Sequence, residues 1–189
     1  FEPPYFAAVG LPCTFVGHPV LESGADKGDG LAFRARHGIA DDARLLGVLP
    51  GSRRGEVSRL LDPFGATVRQ LAVMHPGLRI VVPTVPSVAD LVRSKVVDWP
   101  GDAIVVPDLD HKYDAMAACD VALAASGTVA LELGMAGVPM VIGYRLNALT
   151  GLVVKRLVRV KYVCLINLLL DRDVVPELLL ADCREERIT

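Results

Sequence analysis

The chain has 189 residues, 52% of them hydrophobic, and a net charge of −2. That composition excludes a disordered chain and argues against a broad electrostatic grip on nucleic acid, so no nucleic-acid partner is expected. Its four cysteines (Cys13, Cys119, Cys164 and Cys183) follow no CxxC spacing. They read as small apolar residues in a reducing compartment, not as a zinc site or a disulfide frame.

The first element of interest is Phe15–Pro19 (FVGHP), which places His18 in a rigid Gly/Pro turn. A histidine there can face a substrate or move a proton; a hinge histidine bonded to backbone is the favoured reading. Residues 23–30 (SGADKGDG) read as a polar, glycine-rich loop or linker. Ala32–His37 reads as a short helix stopped by Gly38. Leu45–Leu49 is a buried strand, and Glu56–His75 is a helix with Leu60, Phe64, Val68 and Leu71 on one face. A strand at Leu78–Val82, a helix at Val88–Val96, a strand at Ile104–Val106 and a helix at His111–Ala118 follow. Val121–Ala124 is a strand that runs into Ser126-Gly127-Thr128. A short helix carries Glu132 and ends near Gly137, and another strand begins at Val138. Asn147–Leu157 reads as a helix rich in Leu and Val. No internal repeat, low-complexity tract or run of about 18 uncharged apolar residues is present.

Strands apolar on both faces and separated by helices imply an α/β fold: a Rossmann-like parallel sheet with helices on both faces. In such sheets ligands bind beyond the carboxyl ends of the strands. Gly51-Ser52-Arg53 and Ser126-Gly127-Thr128 both fall at that edge. Gly51 lets a ligand approach the backbone, Ser52 offers a hydroxyl, and Arg53 can grip a diphosphate with its planar fork of donors. Ser126, Gly127 and Thr128 leave backbone N–H groups open at a helix N-terminus, which suits a phosphate. Glu132 lies one turn further on, where its carboxylate can accept from two ribose hydroxyls. Locally, capping and tight turns explain the same residues equally well or better. The glycine pattern is neither a Walker loop nor GxGxxG. Glu56 is read as a helix-capping residue and not as a buttress for Arg53.

Asn167 can bond a sugar or a diphosphate, or simply form a turn. Lys155, Arg156, Arg159 and Lys161, among apolar neighbours, suit either an anionic membrane or the wet face of a core helix containing Leu149, Val153 and Leu157. Asp108, Asp110, Asp114 and Asp120 flank one helix without any sign that they converge. No histidine pair has metal-ligand spacing, so neither a metal nor another cofactor is expected.

Six segments taken in order carry a resemblance: FVGHP (Phe15–Pro19), LPGSRRGEV (Leu49–Val57), IVVP (Ile80–Pro83), ASGTVALE (Ala125–Glu132), GVPMVIGYR (Gly137–Arg145) and KYVCLINLLLDRDVVPELL (Lys161–Leu179). Together they resemble lipid-A-disaccharide synthase, in its C-terminal, donor-binding part. The resemblance implies one half of a two-domain GT-B fold. It also implies a hexosyltransferase that joins UDP-2,3-diacylglucosamine to 2,3-diacylglucosamine 1-phosphate, releasing UDP without a metal. Arg53 would hold the diphosphate, Ser126, Gly127 and Thr128 would surround phosphate, Glu132 would bind the ribose, and Asn167 matches the asparagine of the family's Leu-Pro-Asn. Ile166 stands where the family carries proline, and Leu180 where it often carries glutamine.

On this reading residues 1–22 join the chain to a missing N-terminal domain that holds the catalytic base. Residues 23–180 form the UDP-sugar-binding domain, and residues 181–189 start a helical tail. Both ends read as cut, and the fragment alone is expected to be inactive. The family works in the cytoplasm of Gram-negative bacteria, on the cytoplasmic face of the inner membrane. The resemblance therefore leaves room for peripheral membrane contact and for a homodimer. Two other readings stay open: another UDP-sugar enzyme of the same fold (an epimerase or a murein-type transferase), or a non-catalytic nucleotide-binding or dimerisation module.

Overall fold

A computed structural model describes residues 3–145, 161–183 and 185–188. The expected helix at Asn147–Leu157, with Lys155 and Arg156, and Arg159 beyond it lie outside the described residues. Among the described residues, six strands form one parallel sheet: β1 (Leu45–Leu49), β2 (Arg79–Pro83), β3 (Ile104–Val106), β4 (Val121–Ala125), β5 (Met140–Tyr144) and β6 (Glu177–Leu179). Their order is β3-β2-β1-β4-β5-β6, with every neighbouring pair parallel.

Side-chain alternation assigns each strand residue to one of two cores. Leu45, Leu49, Val81, Ala122 and Ala124 face one side, with Phe33, Met116 and Leu133. Leu46, Val48, Ile80, Val82, Leu123 and Ala125 face the other, with Leu60, Phe64 and Val92. The first core is covered by α2 (Gly30–Arg36), α5 (Lys112–Ala117) and α6 (Thr128–Met135). The second is covered by α3 (Arg54–Met74) and α4 (Ala89–Val96). This is the Rossmann-like architecture that continuous apolar strands predict.

Among the described residues, three further helices are short: α1 (Pro3–Ala7), α7 (Leu165–Leu170) and α8 (Glu185–Ile188). The last lies in the segment expected to begin a helix and packs on α3. Among the described residues, no helix is long and apolar enough to cross a membrane.

Several boundaries differ from the sequence reading. Helix α3 starts two residues before Glu56 and runs through Pro63. Proline has no N–H to give the preceding turn; one turn on, the Thr67 hydroxyl donates to the Pro63 carbonyl at 3.0 Å. Strand β5 begins at Met140 because Gly137 and Val138 close the end of α6: Gly137 has φ +72, and the Val138 N–H donates to the Leu133 carbonyl. Residues 23–30 are packed and do not act as a free linker. Ala25 is fully buried. Side chains at Gly28 and Gly30 would run into the Tyr113 and Ala117 carbonyls of α5, so only glycine fits there.

Candidate functional site

Strands β1 and β4 lie side by side, with Leu49 in register with Ala124. The chain leaves both strands at the same edge, at the point where strand order reverses about β1, so the two following loops are neighbours. They enclose a cavity of about 290 Å³. Gly51, Ser52, Arg53 and Glu56 line it from the first loop, and Ser126, Gly127, Thr128, Val129 and Glu132 from the second. The end of β2 contributes Pro83, Thr84 and Val85, and α5 contributes Lys112. Seven residues singled out from the sequence are thus brought together: Gly51, Ser52, Arg53, Ser126, Gly127, Thr128 and Glu132.

Both helices that start at this cavity lack a side-chain cap. Arg53 occupies the N-cap of α3 with extended backbone (φ −98, ψ 132), and its carbonyl receives the Glu56 and Val57 N–H groups. Its guanidinium is exposed and makes no ion pair among the described residues. Gly51 has φ +105, and the Glu56 carboxylate occupies the space a side chain at Gly51 would need. Gly127 is the N-cap of α6 at φ +149, ψ −161, a conformation open essentially to glycine alone. The uncapped N–H groups of two helix starts and the Arg53 guanidinium bring positive charge to the cavity, while Lys112 is paired with Glu132 and Glu56 adds a carboxylate.

Ser126 is already engaged: its hydroxyl donates to the Val163 carbonyl at 2.9 Å, leaving its oxygen able to accept. Glu132 is 8% exposed. One carboxylate oxygen takes a hydrogen bond from Lys112 at 2.6 Å and the other takes one from the Tyr113 hydroxyl at 3.1 Å. Each oxygen keeps a second lone pair, so the carboxylate retains capacity for two further donors.

Asn167 does not line this cavity. It is fully buried, donates to the Val175 carbonyl and to Glu177 (both 2.7 Å), and accepts from the Val174 and Val175 N–H groups. All its polar capacity is used within the chain. Glu177 also accepts from the Val163 and Cys164 N–H groups. Asn167 and Glu177 therefore fix the segment whose Val163 carbonyl holds Ser126. Ile166, in the first turn of α7, packs on α6 near Gly134.

His18 lies outside the cavity; its Nδ1 accepts from the Val20 N–H at 3.1 Å and caps a short turn, which is the backbone bond favoured from the sequence. Asp108 and Asp114 lie 3.7 and 3.8 Å from His111, while Asp120 pairs with Arg34 elsewhere. Asp108 and Asp114 thus flank one histidine, but the four acids do not form a single cluster. Of the basic set between 155 and 161, Lys161 alone is described; it is exposed and pairs with Asp171 at 2.9 Å.

Lys112 and Thr84 escaped the sequence reading. Lys112 opens α5, where the helix dipole disfavours a cation. That misfit signals that the side chain has a partner elsewhere, here Glu132. Thr84 has no comparable mark beyond its place directly after a strand.

The whole chain, residues 1–189, matches the family described as lipid-A-disaccharide synthetase. It is 60% identical over 188 residues to the lipid-A-disaccharide synthase of Rhodospirillum centenum, covering 100% of this chain and 47% of that protein. It is 48% identical to the one from Granulibacter bethesdensis, again over 188 residues, covering 48% of that protein. The chain thus spans about half the length of the curated relatives it matches. Among solved structures, a glycosyl transferase family 9 protein from Veillonella parvula matches with a TM-score of 0.51 at 21% identity, over 61% of this chain and 33% of that one. That likeness shows the shared Rossmann-like fold. Full-length coverage by the family, together with these identities, shows that the chain belongs to the lipid-A-disaccharide synthase family.

Proposed function

We propose that this chain is the donor-binding part of a glycosyltransferase that joins UDP-2,3-diacylglucosamine to 2,3-diacylglucosamine 1-phosphate and releases UDP. The observation that carries this reading is the meeting of Arg53, the uncapped start of α3 and the uncapped start of α6 around one cavity. Negative charge grows on the UDP leaving group as the glycosidic bond breaks. Donors fixed in place before the reaction stabilise that charge without reorganising.

The residues divide the donor between them. Arg53 and the N–H groups at Thr128 and Val129 face the diphosphate. Glu132, oriented by Lys112 and Tyr113, takes the ribose hydroxyls with its remaining lone pairs. Asn167 acts on the site through Glu177 and Val163, as a positioning residue. The cavity volume is at the low end of the ~300–1,000 Å³ typical of ligand pockets. It suits a diphosphate and part of a nucleoside, and the acyl chains would lie outside it.

The catalytic base belongs, on this reading, to the half of the relatives that the chain does not cover. Tyr5, Phe6, Phe15 and Val16 are exposed apolar residues in the segment assigned to the join, which supports a covering partner there. The enzyme would act in the cytoplasm, at the inner membrane face.

Calorimetry with UDP, ADP and GDP tests the donor assignment. UDP is expected to bind most tightly, and equal affinity for all three would remove the uridine claim. Arg53→Ala is expected to weaken UDP by at least tenfold, because hydrogen bonds to charged groups contribute about 1.5–3 kcal/mol. Since that side chain has no ion-pair partner among the described residues, the stability of the free chain should be unchanged.

A further inference from the structure

We infer that Thr84 is a further ligand-contacting residue of this cavity, its hydroxyl hydrogen-bonding to the bound donor nucleotide. The inference rests on the donor-site reading and extends it to a third strand end.

Thr84 follows β2, and its N–H donates to the Val106 carbonyl at 2.9 Å, which ties the end of β2 to β3. The residue is 5% exposed and lines the same cavity as Arg53 and Gly127. Its Oγ1 is buried and has no hydrogen-bond partner among the described residues. Buried hydroxyls are rarely left in that state, because the lost hydration is not replaced. Valine has the same shape and would fill this position without that penalty. Among the described residues the hydroxyl caps no helix and bridges no loops.

Among the described residues, the other buried side-chain atom without a partner, Arg79 Nε, sits at the start of β2, the opposite end from the cavity. Thr84 is therefore the idle buried group that stands in the cavity wall. Strand β2 flanks β1 on the side away from β4. A ligand lying across the Gly51–Arg53 loop from the start of α6 reaches the end of β2 next. A hydroxyl there donates to an anionic oxygen or accepts from a sugar hydroxyl by rotating its hydrogen.

The test compares Thr84→Val and Thr84→Ser with the wild-type chain, by UDP calorimetry and by urea unfolding without ligand. Thr84→Val is expected to weaken UDP about three- to tenfold, and Thr84→Ser to stay within about twofold of wild type. Without ligand, Thr84→Val should unfold at the same urea concentration as wild type or a higher one. Unchanged UDP affinity in Thr84→Val overturns this inference alone. So does a clear drop in its unfolding midpoint, which would mean that the hydroxyl serves the free fold. Failure of the wild-type chain to bind UDP overturns the donor-site reading, and this inference with it.

Discussion

Arg53 is exposed with no ion-pair partner among the described residues, whereas Asn167 is fully buried with both polar atoms engaged. Substitution should therefore act on different properties at the two positions. On the donor-site reading, Arg53→Ala removes a ligand contact and leaves the fold alone. Asn167→Ala removes four hydrogen bonds at once, stranding the Val174 and Val175 N–H groups and the Val175 carbonyl. Buried groups left without partners cost about 1–3 kcal/mol each before relaxation. We expect Asn167→Ala to lose about 2–4 kcal/mol in urea unfolding. UDP affinity of the molecules that stay folded should fall about threefold or less, through loosening of the Val163 carbonyl that holds Ser126. A loss of UDP binding above tenfold at unchanged stability would mean instead that Asn167 touches the ligand directly.

Beside the apolar packing of Phe33, one polar side chain ties helix α2 to the end of α5 and to the segment before β1. The Arg34 guanidinium is buried and donates to the carbonyls of Ala118, Ala40 and Ala43 and to Asp120. Asp120 in turn accepts from the Leu45 N–H at 2.7 Å, so the same pair fixes the start of β1. Arg34→Leu keeps much of the volume and takes the donor from three carbonyls, while Asp120, about half exposed, keeps the Leu45 N–H and solvent. It should cost about 3 kcal/mol in urea unfolding while leaving UDP affinity of the folded chain within about twofold, since Arg34 lies outside the cavity. Stability within about 0.5 kcal/mol of wild type would show that solvent satisfies those carbonyls.

Arg34 also marks the limit of what periodicity reveals. Strands β1 and β4 were legible because every residue of β1, and all but the first of β4, is buried between two helix layers. Their shared direction places Arg53 and Gly127 at one edge of a parallel sheet from the sequence alone; that β1 and β4 are neighbours is seen only in the structure. Strand β6 was not legible: it has three half-buried residues and pairs only with β5. Lys112, Thr84 and Arg34 were missed for a shared reason. Each matters through groups distant in sequence, Glu132, a cavity wall and Asp120, and no local spacing encodes such a meeting.

At the scale of the whole molecule, the sheet divides the interior into two apolar cores, and three of the four cysteines lie buried in or against them. Cys119 donates to the Ala115 carbonyl at 3.1 Å. Burial pushes its thiol up to about 12, with the nearby Asp120 carboxylate adding to the shift and Arg34 opposing it. Burial also raises Cys183. The sign of the linkage follows directly. An unfolded thiol ionises near pH 9, while folded Cys119 keeps its proton to about 12. Between those values the folded state binds more protons, so stability falls as pH rises. The contribution is fully present below pH 9 and is lost across that window, at about 1.4 kcal/mol per pH unit for one proton. Urea unfolding at pH 8, 9, 10 and 10.5 should therefore show a shallower alkaline decline for Cys119→Ala than for wild type. A thiol-labelling count gives the matching structural readout: exposed Cys13 should react in the folded chain, and all four cysteines only after unfolding. Parallel pH profiles for the two proteins, or rapid labelling of Cys119 in the native state, would mean that the core at the start of β4 opens far more readily than its packing implies.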